Sequence, residues 1–158
     1  MKQKEMSYVL KMLAVLSAVA CLALMFVVLP LLAQIYLGLP ETQKLYWPFL
    51  VISWVGLIPL IALACVAWGI FTEIGRGNSF CEKNAARLRS MSYLSAVCAL
   101  VWLAGILFVA ISKIPAIGIM LAFTVAMALM IIMAVVCACL SHLTAKAADI
   151  KQENDLTV

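Results

Sequence analysis

Charged positions cut this chain into long apolar stretches. No Asp, Glu, Lys or Arg occurs between Lys11 and Glu41, between Lys44 and Glu73, between Arg89 and Lys113, or between Lys113 and Lys146. Each interval exceeds the roughly 20 residues that a helix needs to cross a hydrocarbon core. Inside lipid the backbone must bond within its own segment, so such stretches are helices, and the even alternation of a barrel strand is absent. The pattern predicts an all-α, polytopic integral membrane protein. A single domain, residues 1–158, would hold four transmembrane helices near 12–37, 47–71, 90–111 and 115–140, with a loop at 73–89 and a tail at 141–158. The first uncharged run is too long for a cleaved signal peptide and is followed by no small-residue cleavage site, so it is expected to stay.

Local signals refine these spans. Pro30 and Pro59 should kink helices one and two, because each removes a backbone donor. Pro115 can open helix four at its first turn, where a missing N–H costs nothing. Ser112 and Lys113 would then form a short turn, making helices three and four a hairpin, the second of two. Tyr46 and Trp47 suit an interfacial aromatic belt, with Pro40 and Pro48 bracketing that loop, and Gln34 is expected near the same interface. Gly56, Gly69, Gly105 and Gly118, with Ser17, Ser53 and Ser95, read as small residues that let helices approach. Thr124 is a further polar residue within a span.

The segment Glu73–Arg89 reads EIGRGNSFCEKNAARLR. Gly75 and Gly77 are expected to break helix two. Ser79 and Glu82 have the spacing of a capping box, in which Ser79 accepts from the Glu82 amide and the Glu82 carboxylate returns to the Ser79 amide. A helix would start there, with Phe80 dipping into the interface and Lys83, Arg87 and Arg89 facing lipid phosphates or solvent. Two readings stand: a charged turn that only orients the protein, or a partner-docking loop.

Beyond span four, Leu140, Leu143, Ala147 and Ile150 recur at three- and four-residue steps. They predict a helix that continues past the membrane with one apolar stripe. Lys146 and Asp149 stand three apart, as a weak supporting pair. The chain ends QENDLTV. This end reads as a frayed polar terminus, or as a recognition peptide in which Leu156 and Val158 point the same way from an extended strand.

Composition agrees with lipid as solvent. Hydrophobic residues make up 67% of the chain and charged residues 11%, against about 25% charged in soluble domains. The net charge of +4 matters less than its placement. Lys2, Lys4, Lys11, Arg76, Lys83, Arg87, Arg89, Lys146 and Lys151 lie on one side of the spans, and Lys44 and Lys113 on the other. The richer side is expected in the cytoplasm, which gives an N-in/C-in protein of a cytoplasmic (inner) membrane. Basic residues this few, bordering apolar spans, exclude direct nucleic acid binding as a first reading.

Candidate chemistry is sparse. Cys21, Cys65, Cys98, Cys137 and Cys139 lie in apolar runs, and Cys81 in the loop assigned to a reducing compartment, so all six read as structural thiols. Cys137, Cys139 and His142 resemble a metal set. Residues two apart diverge on a helix, however, and the remaining pair does not close a zinc site. The methionines read as gap-filling packing rather than a copper path. With no ionisable residue inside a span, both acid–base catalysis and a proton relay lack their groups. No catalytic, cofactor or metal site is expected.

The loop and tail together resemble an uncharacterised bacterial membrane family, domain of unknown function 2975. Its members look like four-helix proteins with a loop pattern F-S-x-E-N-A-x-R-L and a tail close to E-N-D-L-T. Phe80, Glu82, Asn84, Ala85, Arg87 and Leu88 match the loop, with Cys81 where a serine is usual. Glu153, Asn154, Asp155, Leu156 and Thr157 match the tail. The resemblance implies a regulatory partner, because members are often encoded beside a small helix-turn-helix regulator; it implies no activity.

Three function classes follow: a non-enzymatic regulator or adaptor, a small transporter, channel subunit or small-molecule-binding membrane protein, and a membrane enzyme. Polar residues concentrated on the cytoplasmic face favour the first. Its expected contact residues are Phe80, Glu82, Asn84 and Arg87 in the loop, and Glu153, Asn154, Asp155, Leu156 and Val158 in the tail. Partners are then the bilayer and a cytoplasmic helix-turn-helix protein, with homo-oligomerisation left open.

Overall fold

The computed structural model describes residues 3–37, 43–112 and 117–156, and every regular element among them is helical. Helix one runs Gln3–Ala23, passes through a π turn at Leu24–Val28 and continues as Leu29–Leu37. A 3-10 turn, Gln43–Leu45, leads into helix two, Tyr46–Gly75. Helix three is Glu82–Ile111 and helix four Ile117–Leu156. All four are long and apolar enough to cross a membrane, which makes the chain a multi-pass membrane protein. Where described, the expected spans lie inside these longer helices. Pro40, Lys113 and Pro115 fall outside the described residues.

The kink expected at Pro30 takes the form of the π turn just before it. Leu29 donates its N–H to the Leu24 carbonyl, five residues back, and Pro30 has no N–H with which to continue that register. Pro59 lies within helix two, which runs through it unbroken.

Helix one packs on two, two on three and three on four. Small residues permit the close approaches. A side chain on Gly56 would put its Cβ 2.8 Å from the Trp102 indole, and one on Gly105 would meet Ile52 and Phe123 at 3.0 Å. Gly69 is occupied in the same way by Arg87, whereas Gly118 faces open space and packs against nothing. Cys98, Trp102, Val109 and Phe123 form one core; Leu63, Met91 and Cys137 form a second.

At one end of the bundle the chain turns from helix two into helix three. Gly77 has φ 82°, which side chains rarely tolerate. The amide of Asn78 donates to the Glu73 carbonyl at 3.0 Å, and that of Gly77 to the Ile74 carbonyl at 3.1 Å. These are the two bonds of a Schellman ending. Gly77 is therefore the breaker. Gly75 is not, contrary to expectation. It is the last residue of helix two, and its missing side chain leaves room for Ser7, whose Oγ would lie 2.7 Å from an added Cβ. Ser7 donates to the Phe71 carbonyl at 2.6 Å, which fixes the start of helix one at this same end.

The capping box does not form. Helix three begins at Glu82, and the residue in the extended N-cap conformation is Cys81, with no side-chain capping bond. Ser79 sits two positions too early, in the turn that the Schellman ending imposes, and Glu82 is the first helical residue rather than the third. The Cys81 carbonyl accepts from the amides of Asn84 and Ala85 at 3.0 and 3.2 Å.

Helix four, at 40 residues, is about 60 Å long, twice the roughly 30 Å hydrocarbon core. It does continue beyond its span, but not on the expected stripe. Leu140, Leu143 and Ile150 are exposed, while Cys137, Ser141 and Thr144 are buried. Ser141 Oγ donates to the Ala85 carbonyl at 2.7 Å and Ser92 Oγ to the Ala134 carbonyl at 2.8 Å. Close approach to the first turns of helix three requires small side chains, so a polar seam displaces the leucines outward. The helix also persists to Leu156, so the extended strand expected at the chain end does not start before that residue. Thr157 and Val158 lie outside the described residues.

Candidate functional site

Helices one and four do not close on each other, and a groove runs between them. In the half remote from the Gly77 turn it deepens into a cavity of about 450 Å³. Leu29, Leu32 and Ala33 of helix one form one wall, and Gly118, Ala122 and Ala126 of helix four the other. Phe49, Ser53, Trp102 and Phe123 form the floor. That floor is a packed aromatic cluster: Phe49 and Phe123 stack at 5.7 Å between ring centroids, and Trp102 meets Phe123 at 5.2 Å. Helix one is tied to helix two beside it, where Trp54 Nε1 donates to the Met25 carbonyl at 2.9 Å.

Among the described residues the cavity lining contains no ionisable side chain. The one hydroxyl among the described lining residues belongs to Ser53, which is 0% exposed and has no hydrogen-bond partner among the described residues. Ser95 is in the same state one level deeper, outside the cavity lining. Such orphans are uncommon and costly, because an unpaired buried hydroxyl loses its hydration without replacement. The neighbouring Cys98 is satisfied, with Sγ 3.1 Å from the Gly56 carbonyl. Toward the Gly77 turn the groove continues as a second apolar hollow that includes Ser17, Cys21 and Met130.

The loop residues separate into two groups. Asn84 is 1% exposed. Its Nδ2 donates to the Ser79 carbonyl at 3.1 Å and the Asn78 carbonyl at 3.3 Å, and its Oδ1 accepts from Arg87 Nη1 at 3.3 Å. The same Arg87 nitrogen donates to the Gly69 carbonyl at 2.9 Å and lies 4.0 Å from Glu73 Oε1. Arg87 was expected to face phosphate or solvent; it folds back over Gly69, where the missing Cβ admits its guanidinium. Asn84 and Arg87 thus hold the turn together; Asn84 is buried, while the Arg87 side chain stays 33% exposed. Phe80 is 59% exposed and Glu82 and Lys83 are exposed, so they remain at the surface. In the tail Glu153 is exposed, and Asn154, Asp155 and Leu156 continue the helix.

Cys137 faces inward and Cys139 outward, so the two thiols diverge as their spacing predicts; His142 is exposed. No three His, Cys, Asp or Glu side chains converge among the described residues. The sequence reading missed the aromatic floor, Phe49, Trp102 and Phe123. Within an apolar run an aromatic residue carries no periodic signal, and only the Gly56–Trp102 fit in space reveals its place.

Residues 33–158 match the family described as a protein of unknown function, DUF2975, and the chain belongs to that family. No curated protein and no solved structure matches it.

Proposed function

We propose that this member of the DUF2975 family is a non-enzymatic regulator or adaptor of a bacterial cytoplasmic membrane, acting through a rigid tail presented to a cytoplasmic protein. The observation that carries this reading is the unbroken helix four. It begins at the cavity wall at Ile117 and reaches Leu156 at the same end of the bundle as the Gly77 turn. Its last 16 residues, beyond Leu140, add about 24 Å of helix. A helix carried through the bilayer holds its end at a fixed height, and membrane confinement raises the effective concentration for a weak partner. Phe80, Glu82 and Lys83 stand at the same end and supply a second contact. A small helix-turn-helix protein is the partner that the family resemblance suggests.

The distribution of basic residues supports a cytoplasmic position for this end. Single cysteines at Thr42 and Asp149, in an otherwise cysteine-free protein, should label from opposite sides; labelling of Asp149 from outside intact cells would reverse the assignment. The functional test deletes Glu153–Val158 and measures insertion and partner recovery separately. Insertion should persist, because no span is altered. Recovery of the same cytoplasmic partners in the same amounts would remove the tail as a binding element.

A further inference from the structure

The cavity between helices one and four has the volume, lining and access of a ligand site. Its volume of about 450 Å³ falls within the range of roughly 300–1,000 Å³ typical of small-molecule sites. The lining disfavours charged ligands, because no group in it among the described residues could compensate a buried charge. Access is sideways from the lipid, since helices one and four line opposite sides and do not pack on each other.

We propose that this cavity binds an uncharged, hydrocarbon-rich molecule bearing one hydroxyl or carbonyl group, taken up from the membrane. Two independent features select that chemistry. The first is the apolar wall, whose small residues Ala33, Gly118, Ala122 and Ala126 leave space that larger side chains would fill. The second is Ser53, a fully buried hydroxyl in the lining with no protein partner among the described residues. Ser53 lies seven residues into helix two from Tyr46, so its hydroxyl is about 10 Å below that helix end. A polar group brought there by a hydrocarbon chain supplies the missing hydrogen bond. Ser53 is 0% exposed, so forming that bond requires a small rotation of a floor side chain. The proposal stands independently of the tail, since it needs no protein partner.

The test uses the full chain in phosphatidylcholine nanodiscs. The photoprobe is a hexadecanol carrying a mid-chain diazirine, and the control is the matching alkane without the hydroxyl. Labelling by the alcohol should concentrate on the peptides containing Phe49 and Ala122, and excess unlabelled hexadecanol should suppress it. Gly118 lines the cavity and a Cβ there meets nothing within 4 Å, so Gly118→Leu is the first filling variant. It should reduce alcohol labelling at these peptides at least about fivefold, which by itself would correspond to roughly 1 kcal/mol. Ala122→Leu is a second filling variant should the first perturb the helix start. Ser53→Ala should weaken labelling by the alcohol and leave that by the alkane unchanged. Labelling that is spread over the lipid-facing surface, or that ignores both competitor and filling variants, would mean bulk lipid only and overturn the site. An equal effect of Ser53→Ala on both probes would overturn the assignment of the hydroxyl.

Discussion

The indole N–H of Trp54 donates to the carbonyl of Met25 across helices one and two at 2.9 Å. In the π register that Leu29 establishes, bonds run five residues back, so the donor for Met25 would be residue 30. Residue 30 is proline and has no N–H. Trp54 therefore supplies from the neighbouring helix the bond that helix one cannot make for itself. In hydrocarbon a freed carbonyl needs such a substitute, and a donor from a neighbouring helix is one way in which a proline within a span is accommodated.

This relationship predicts a coupled pair. Trp54→Phe keeps an aromatic side chain but leaves the Met25 carbonyl unpaired, and should cost about 1–3 kcal/mol. In a Pro30→Ala background the backbone can provide its own donor, and the same substitution should cost clearly less. A double-mutant cycle on reversible unfolding in micelles measures the difference; strict additivity would disprove the link.

The turn between helices two and three makes a second prediction. Asn84→Ala removes both bonds to the Asn78 and Ser79 carbonyls and the acceptor for Arg87 Nη1, and should cost about 1–3 kcal/mol. Ser79→Ala removes no capping bond and should stay within about 0.5 kcal/mol. Hydrogen exchange of the amides from Asn78 to Ala85 reads both. A larger effect of Ser79→Ala than of Asn84→Ala would restore the capping box.

Gly69 and Arg87 form the third pair. A Cβ on residue 69 would lie 2.8 Å from Arg87 Nε, so Gly69→Ala must displace the guanidinium from the Gly69 carbonyl. The side chain is flexible, so the expected result is a rearrangement more than a collapse: faster exchange around Asn84 and Arg87 with the fold retained. In an Arg87→Ala background, Gly69→Ala should be nearly silent. An unchanged effect there would mean that something other than Arg87 needs the glycine.

Gly56 and Gly118 test packing by contrast. Gly56→Ala drives a methyl into the rigid Trp102 indole at 2.8 Å and should destabilise by about 1–3 kcal/mol, as overpacking does. Gly118→Ala meets nothing within 4 Å and should be neutral or stabilising by up to about 1 kcal/mol through helix propensity. Thermal unfolding of both variants in one detergent compares them directly.

The number and identity of the spans could be read directly from the sequence, because crossing a bilayer depends on the summed transfer energy of about 20 consecutive residues, which is a local property. Family membership was equally legible, from the loop residues Phe80 to Leu88 and the tail residues Glu153 to Thr157. The roles of Gly56, Gly69 and Gly105 as points of close approach were visible too, since few other uses exist for glycine in the interior of an apolar helix. Tertiary structure decided the rest. Ser79 and Glu82 have capping spacing, but Gly77 and the Schellman bonds end helix two so that Cys81, not Ser79, becomes the cap position. Arg87 looked solvent-facing until Gly69, 18 positions earlier, opened a place for it. Leu140 and Leu143 formed the stronger apolar stripe, yet Ser141 and Thr144 are buried, because a helix approaching this closely admits only small side chains. The cavity could not be read from the chain at all. It exists because helices one and four, the most distant in sequence, fail to meet, and such a gap depends on how four already apolar surfaces are paired.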